Sequence, residues 1–151
     1  MRLTLIALLL AGVVGCDSMP QGLSASAQAV FRRAQQGEAA AQYNLGVMYY
    51  YGKGVPEDYT EAAKWYRKAA EQGHVTAQWM LGGIYYQGED EGVPDNDVEA
   101  YAWFSVAATN GQEDLLGWLP KVKAKLTPEQ LTEGQKRVEE LLEKLNAKKA
   151  K

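Results

Sequence analysis

Small and apolar residues recur at helical spacing in two stretches of the chain. In residues 41–52 they fall at Ala41, Leu45, Tyr49 and Gly52; in residues 77–88 they fall at Ala77, Leu81, Tyr85 and Gly88. A period near 3.6 puts each set on one face of a helix. A glycine-rich loop follows each helix, with Gly54-Val55-Pro56 in one and Gly92-Val93-Pro94 in the other. Asp58 with Glu61, and Asn96 with Glu99, then have the spacing of a capping box. The helix that each box opens carries a stripe of small and aromatic residues: Ala62, Tyr66, Ala69 and Ala70, matched by Ala100, Phe104, Ala107 and Ala108. Gly73 and Gly111 stand where a helix ends on a positive φ. Gly46 and Gly82 lie inside the first helices, where glycine costs about 1 kcal/mol against alanine. Their presence predicts that a neighbouring helix comes close.

The two helix pairs are copies of one unit. Residues 41–52 and 77–88 are identical at seven of 12 positions, and residues 54–73 and 92–111 at nine of 20. The offset grows from 36 to 38 because the second copy has two more residues in its glycine loop (88–92 against 52–54). The pattern fades at both ends, as in terminal repeats. Residues 27–37 read as the second helix of a degraded upstream unit, with Ala34 and Gly37 aligned to Ala70 and Gly73. Residues 113–125 read as one more first-type helix. Thr127-Pro128-Glu129-Gln130 then starts a last helix, with Leu131, Val138, Leu141, Leu142 and Leu145 on its apolar side.

These residues closely resemble the Sel-one-like repeat family, α/α-hairpin relatives of the tetratricopeptide repeats. The first copy carries the family's Ala, Leu-Gly, Tyr, Gly, Gly-Val, Asp, Ala, Trp-Tyr, Ala-Ala and Gly positions between residues 41 and 73. The second departs by its loop insertion, by Asn96 for Asp and by Phe104 for Tyr. The resemblance implies an all-α fold: an α/α-hairpin superhelix, or solenoid, with a C-terminal capping helix. The repeat domain is expected over residues 26–147, with repeats at about 40–74 and 76–112 and C-terminal helices over 113–147. About three units are usually needed for stability, so the end helices must cover core.

The N-terminus reads as an address. Arg2 is followed by an apolar run over residues 3–14, 12 residues long. A spanning helix needs about 20, so the run fits the apolar region of a secretory signal. Val13-Val14-Gly15-Cys16 resembles the lipobox of bacterial lipoproteins. That resemblance implies removal of residues 1–15, lipidation of Cys16, and a tether over residues 16–25 at the periplasmic face of a bacterial membrane. Asp17 resembles the mark that retains enteric lipoproteins in the inner membrane. The alternative is an ordinary signal peptide with an incidental cysteine, or a free cysteine in a tail, but a sole cysteine at this spot favours the lipobox.

Composition narrows the chemistry. One His and one Cys in 151 residues exclude a disulfide scaffold, a Cys/His zinc site and a Cys–His nucleophile pair. No cofactor, metal or catalytic residue is expected. His74 falls in the turn between copies and is expected to be exposed. Charge is segregated: residues 17–120 hold 6 basic and 14 acidic groups (net −8), and residues 121–151 hold 9 and 5 (net +4). An acidic body makes nucleic acid an unexpected partner. The basic last helix reads as a cap with a mixed wet face, or as a helix lying on an anionic membrane. Residues 88–99 carry Glu89, Asp90, Glu91, Asp95, Asp97 and Glu99 without a base. They lack the twelve-position calcium pattern and read as a solvated loop.

First helices line the concave face of such arrays. Residues off the packing face are Tyr43, Val47 and Tyr50 in one copy, and Trp79, Gly83 and Tyr86 in the other. They form the expected partner-binding surface, an aromatic groove about 30 Å long for about nine extended residues. The same side chains could instead be buried between neighbouring helices. The expected work is binding: the resemblance implies a protein-interaction adaptor or regulator of a cell-envelope complex. A carboxylate-based cell-wall hydrolase and a purely structural periplasmic spacer are the rival readings.

Overall fold

The computed structural model describes residues 19–88, 96–111 and 117–150. The expected leader, Cys16, Asp17 and most of the acidic loop therefore lie outside the described residues. Among those described, seven helices follow in order: α1 (Ala25–Gln35), α2 (Ala39–Tyr51), α3 (Tyr59–Ala70), α4 (Val75–Gln87), α5 (Asp97–Thr109), α6 (Leu119–Lys123) and α7 (Pro128–Lys149). The chain is an all-helical repeat solenoid. The pairs α2/α3 and α4/α5 form the two hairpins, α1 packs on α2, α3 on α4, and α7 on α5.

The mid-helix glycines set the hairpin spacing. A Cβ on Gly46 would stand 2.6 Å from Tyr66 Cδ1, and one on Gly82 would stand 2.8 Å from Phe104 Cδ1. Both rings are buried, and so are Leu45 and Leu81, each at 0% exposure. Each hairpin is then tied at its loop. Asp58 N donates to Tyr49 O at 3.0 Å, and Asn96 N to Tyr85 O at 3.1 Å.

That tie changes the caps. Asp58 Oδ1 accepts from Glu61 N at 2.9 Å, and Asn96 Oδ1 from Glu99 N at 3.0 Å. The reciprocal half of the box is replaced, because the cap residue's own N–H serves the hairpin. Glu61 is free to pair with Lys64 at 2.5 Å, and Glu99 accepts from Trp103 Nε1 at 3.1 Å. Among the described residues, a complete box forms at the start of α7, between Thr127 and Gln130.

A glutamine joins one unit to the next. Gln42 Nε2 donates to Ala34 O and Gln78 Nε2 to Ala70 O, each at 3.1 Å. These carbonyls lie at the ends of α1 and α3, where each also accepts from the N–H of the following glycine, Gly37 at 3.1 Å and Gly73 at 2.9 Å. Gln72 and Asn110 in turn donate to Gln42 Oε1 and Gln78 Oε1, at 2.7 and 3.3 Å. The whole side chain of Gln78 is buried and satisfied, as a buried amide must be. Ala34 serves α2 as Ala70 serves α4, so α1 is the second helix of an upstream unit.

Both ends differ from the sequence expectation. The tether expected through residue 25 is already docked at Leu23, which is buried, and Ser24 N donates to Gly54 O at 2.9 Å. At the other end, α6 spans five residues, against the longer first-type helix expected over 113–125; residues 112–116 lie outside the described ones. Instead α7 lies along α5. Gly134 lets it approach Tyr101, whose Cδ1 would be 2.7 Å from a Cβ there. Arg137 Nε meets Glu99 Oε1 at 2.6 Å, and Lys148 Nζ reaches Glu71 O, just past the end of α3, at 2.9 Å. The physical reason is on α5: Ala102 and Val106 stand where α3 has Lys64 and Lys68, so α5 needs apolar cover that α3 does not. Leu141 and Leu145 of α7 share one buried cluster with them and with Trp103.

Two neighbouring glycines offer a contrast. Gly83→Ala meets nothing within 4 Å and should gain up to about 1 kcal/mol of stability. Gly82→Ala drives a Cβ into the buried Phe104 ring and should lose about 1–3 kcal/mol. Urea denaturation of the two variants beside the parent checks the opposite signs.

Candidate functional site

A cavity of about 240 Å³ opens where the C-terminal end of α2 and one side of α4 meet α5 and the start of α6. Its walls are Tyr50 and Tyr51 of α2, Trp79, Met80, Gly83, Ile84, Tyr86 and Gln87 of α4, Phe104 of α5, and Trp118. The repeat explains why the second copy opens there. Position 83 is glycine where the first unit has Val47, and no atom lies within 4 Å of where its Cβ would be. Val47 packs on the core at the corresponding place.

The rings brace one another. Tyr86 meets Trp118 edge-on at 5.7 Å between centroids, and Phe104 stacks on Trp118 at 6.2 Å. Tyr50 stands between Tyr51 at 4.9 Å and Tyr59 at 5.0 Å, both edge-on. Such contacts fix aromatic side chains beyond simple burial. Tyr51 is the open edge, 56% exposed. Trp79 Nε1 is out of reach of solvent, and no acceptor among the described residues pairs with it.

Of the six residues expected to bind a partner, Tyr50, Trp79, Gly83 and Tyr86 come together here. Tyr43 and Val47 do not. Tyr43 stacks on His74 at 4.5 Å and lies 5.8 Å from the Tyr66 ring. The site is thus a compact cavity for about one bulky side chain, below the usual range of roughly 300–1,000 Å³ for small-molecule pockets. The sequence gives no partner role to Tyr51, Met80, Ile84, Gln87 or Trp118, which complete the walls with Phe104. Tyr51 follows Tyr50 directly, and that doubling is the available signal. Trp118 lies beyond the repeat and has none.

His74 departs from its expected exposure. It is half-buried, and its Nδ1 accepts from Ala77 N at 3.2 Å, capping α4. Burial holds its pKa below the ordinary histidine value, against an opposing backbone hydrogen bond. Protonation would abolish the acceptor and place a cation at a helix N-terminus.

A second, wetter groove of about 680 Å³ runs beside α3, with Phe31, Trp65, Glu57, Asp58, Glu61 and Lys68 in its walls. Two of its carboxylates have structural partners: Asp58 caps α3 and Glu61 pairs with Lys64. Among the described residues, no three His, Cys, Asp or Glu side chains are grouped to hold a metal ion. No helix among them is long and apolar enough to cross a membrane.

The chain's sole histidine makes a clean titration. The unfolded state takes up a proton near pH 6.5 while folded His74 resists, so stability is full above that value and falls as pH drops through it. Melting temperature should be lower at pH 5.5 than at pH 7.5, and His74→Asn, which keeps a cap, should shrink that difference.

Comparison with known proteins places this architecture. Residues 39–74 and 75–112 each match the Sel1 repeat model. The secretory immunoglobulin A-binding protein EsiB of Escherichia coli is 37% identical over 67 residues, 44% of this chain and 14% of that protein. A solved protective antigen of uropathogenic Escherichia coli displaying an SLR fold superposes with a TM-score of 0.74 at 40% identity, over 80% of this chain and 26% of the other. A Sel1 repeat protein from Oxalobacter formigenes superposes at 0.58 and 38% identity, over 62% of this chain and 38% of that one. This chain spans only a minor part of each relative's length. The two hairpins α2/α3 and α4/α5 are accordingly two Sel1 repeats, in a chain similar over part of its length to these bacterial proteins.

Proposed function

We propose that this chain is an adaptor that docks a protein segment in the aromatic cavity and recruits it to a cell-envelope complex. Lipidation of Cys16 holds it at the periplasmic face of a bacterial membrane, with Asp17 favouring the inner one. The observation that carries the binding role is the cavity itself: an open, mostly aromatic recess walled by rings that brace each other. Aromatic anchors in such pockets dominate interface energetics. A relative named for binding secretory immunoglobulin A supports protein recognition as the work of these repeats. Tethering supports the mechanism, because a shared membrane raises local concentration and lets modest affinity suffice.

A photo-crosslinking residue at position 51, on the open edge of the cavity, tests this in intact cells of the source bacterium. A discrete crosslinked protein should appear and should be lost when Gly83→Leu fills the recess. A product indifferent to that filling would move the site elsewhere. Cys16→Ser should shift the protein from the membrane to the soluble fraction; retention on the membrane would overturn the anchor.

A further inference from the structure

Three of the rings around the cavity carry a lysine ammonium. Lys53 Nζ lies 5.1 Å from the Tyr51 centroid, Lys121 Nζ 4.5 Å from that of Trp118, and Lys125 Nζ 4.2 Å from that of Tyr86. All three rings are walls of the cavity. The lysines come from separate places: one from the first glycine loop and two from α6 and its end. Of the three, Lys125 is ion-paired, with Asp97 at 3.5 Å. Lys53 and Lys121 present exposed cations, and the ring beneath each holds the ammonium near the rim.

Of these lysines, Lys53 belongs to the acidic segment 17–120, net −8, and Lys121 and Lys125 to the basic segment 121–151, net +4. Among the described residues that line the cavity none carries a carboxylate, and the three ammonium groups stand over its rings. The recess has room for about one large side chain. Resting on the proposed function above, we infer that the ligand is an acidic peptide segment. One bulky apolar side chain enters between Trp79, Gly83 and Tyr86, and carboxylates on either side of it pair with Lys53 and Lys121. Complementary rim charge of this kind selects partners and speeds encounter more than it deepens binding. Recognition by this surface is accordingly sensitive to salt.

The test uses the full chain and labelled synthetic peptides read by fluorescence anisotropy. The probes are Gly-Asp-Glu-Phe-Glu-Asp-Gly, its neutral counterpart Gly-Asn-Gln-Phe-Gln-Asn-Gly, and the acidic peptide with Ala for Phe. At low salt the acidic Phe peptide should bind about tenfold more tightly than either control, and the gap to the neutral peptide should narrow at about 0.5 M salt. Lys53→Gln with Lys121→Gln should bring the acidic and neutral Phe peptides within about threefold, with an unchanged melting curve. Gly83→Leu should remove binding of both. Equal binding of the acidic and neutral peptides, lost together in Gly83→Leu, would overturn the charge selection and leave the cavity as a peptide site. No binding of any peptide would overturn this inference, while the crosslink at position 51 decides the adaptor role separately.

Discussion

The depth to which Tyr66 and Phe104 sink against the backbone of Gly46 and Gly82 governs the two hairpins. Any side chain at either glycine would occupy space that a buried ring already fills. With the arms that close, Leu45 and Leu81 are sealed, and the N–H of Asp58 or Asn96 can reach the carbonyl near the end of the preceding helix. Small residues along the second helices then bury against their neighbours. The cost of a mid-helix glycine is offset by the contact it permits.

Within that spacing, polar groups fix the order of stacking. Gln42 and Gln78 each answer a helix-end carbonyl of the preceding unit, and Gln72 and Asn110 complete their hydrogen bonding. An apolar residue of similar size could fill the same space, yet it would take away one of the two donors to that carbonyl, leaving Gly37 N or Gly73 N alone on it, and the acceptor that Gln72 or Asn110 uses. The staple therefore specifies which helix end sits beside which. Glu99 does comparable work at the other end, joining Trp103 of its own helix to Arg137 of α7.

Features with a period are legible in the sequence. Helical spacing puts Leu45 and Leu81 in the core, and the internal glycines announce the ring contacts. Gln42 and Gln78 are visible as identical positions, but their role is not, because a glutamine's partner depends on which helix end lies nearby. The departures lie where the period fails. Nothing in the local pattern of residues 113–125 shows how short α6 is, or that α7 lies along α5. The exchange of Lys64 and Lys68 for Ala102 and Val106 is the readable sign, and its meaning needs the third dimension. The candidate site divides in the same way. Trp79, Gly83 and Tyr86 follow from aligning the copies, whereas Trp118 belongs to no copy. His74 reads as a turn residue, since its spacing says nothing of the Tyr43 ring that covers it.

The apolar outer surface of α5 gives the solenoid a direction of growth. A unit patterned on the first copy could be spliced in between α3 and α4, because both cut ends are complementary to such a unit: Ala70 O awaits a glutamine, and Gln78 awaits a helix end. The distal end is closed to such extension. A unit appended after α5 would have to evict α7 and lay bare Ala102 and Val106. Lengthening of this architecture by duplication is therefore confined to its interior, and the terminal cap travels unchanged at the end of whatever array precedes it.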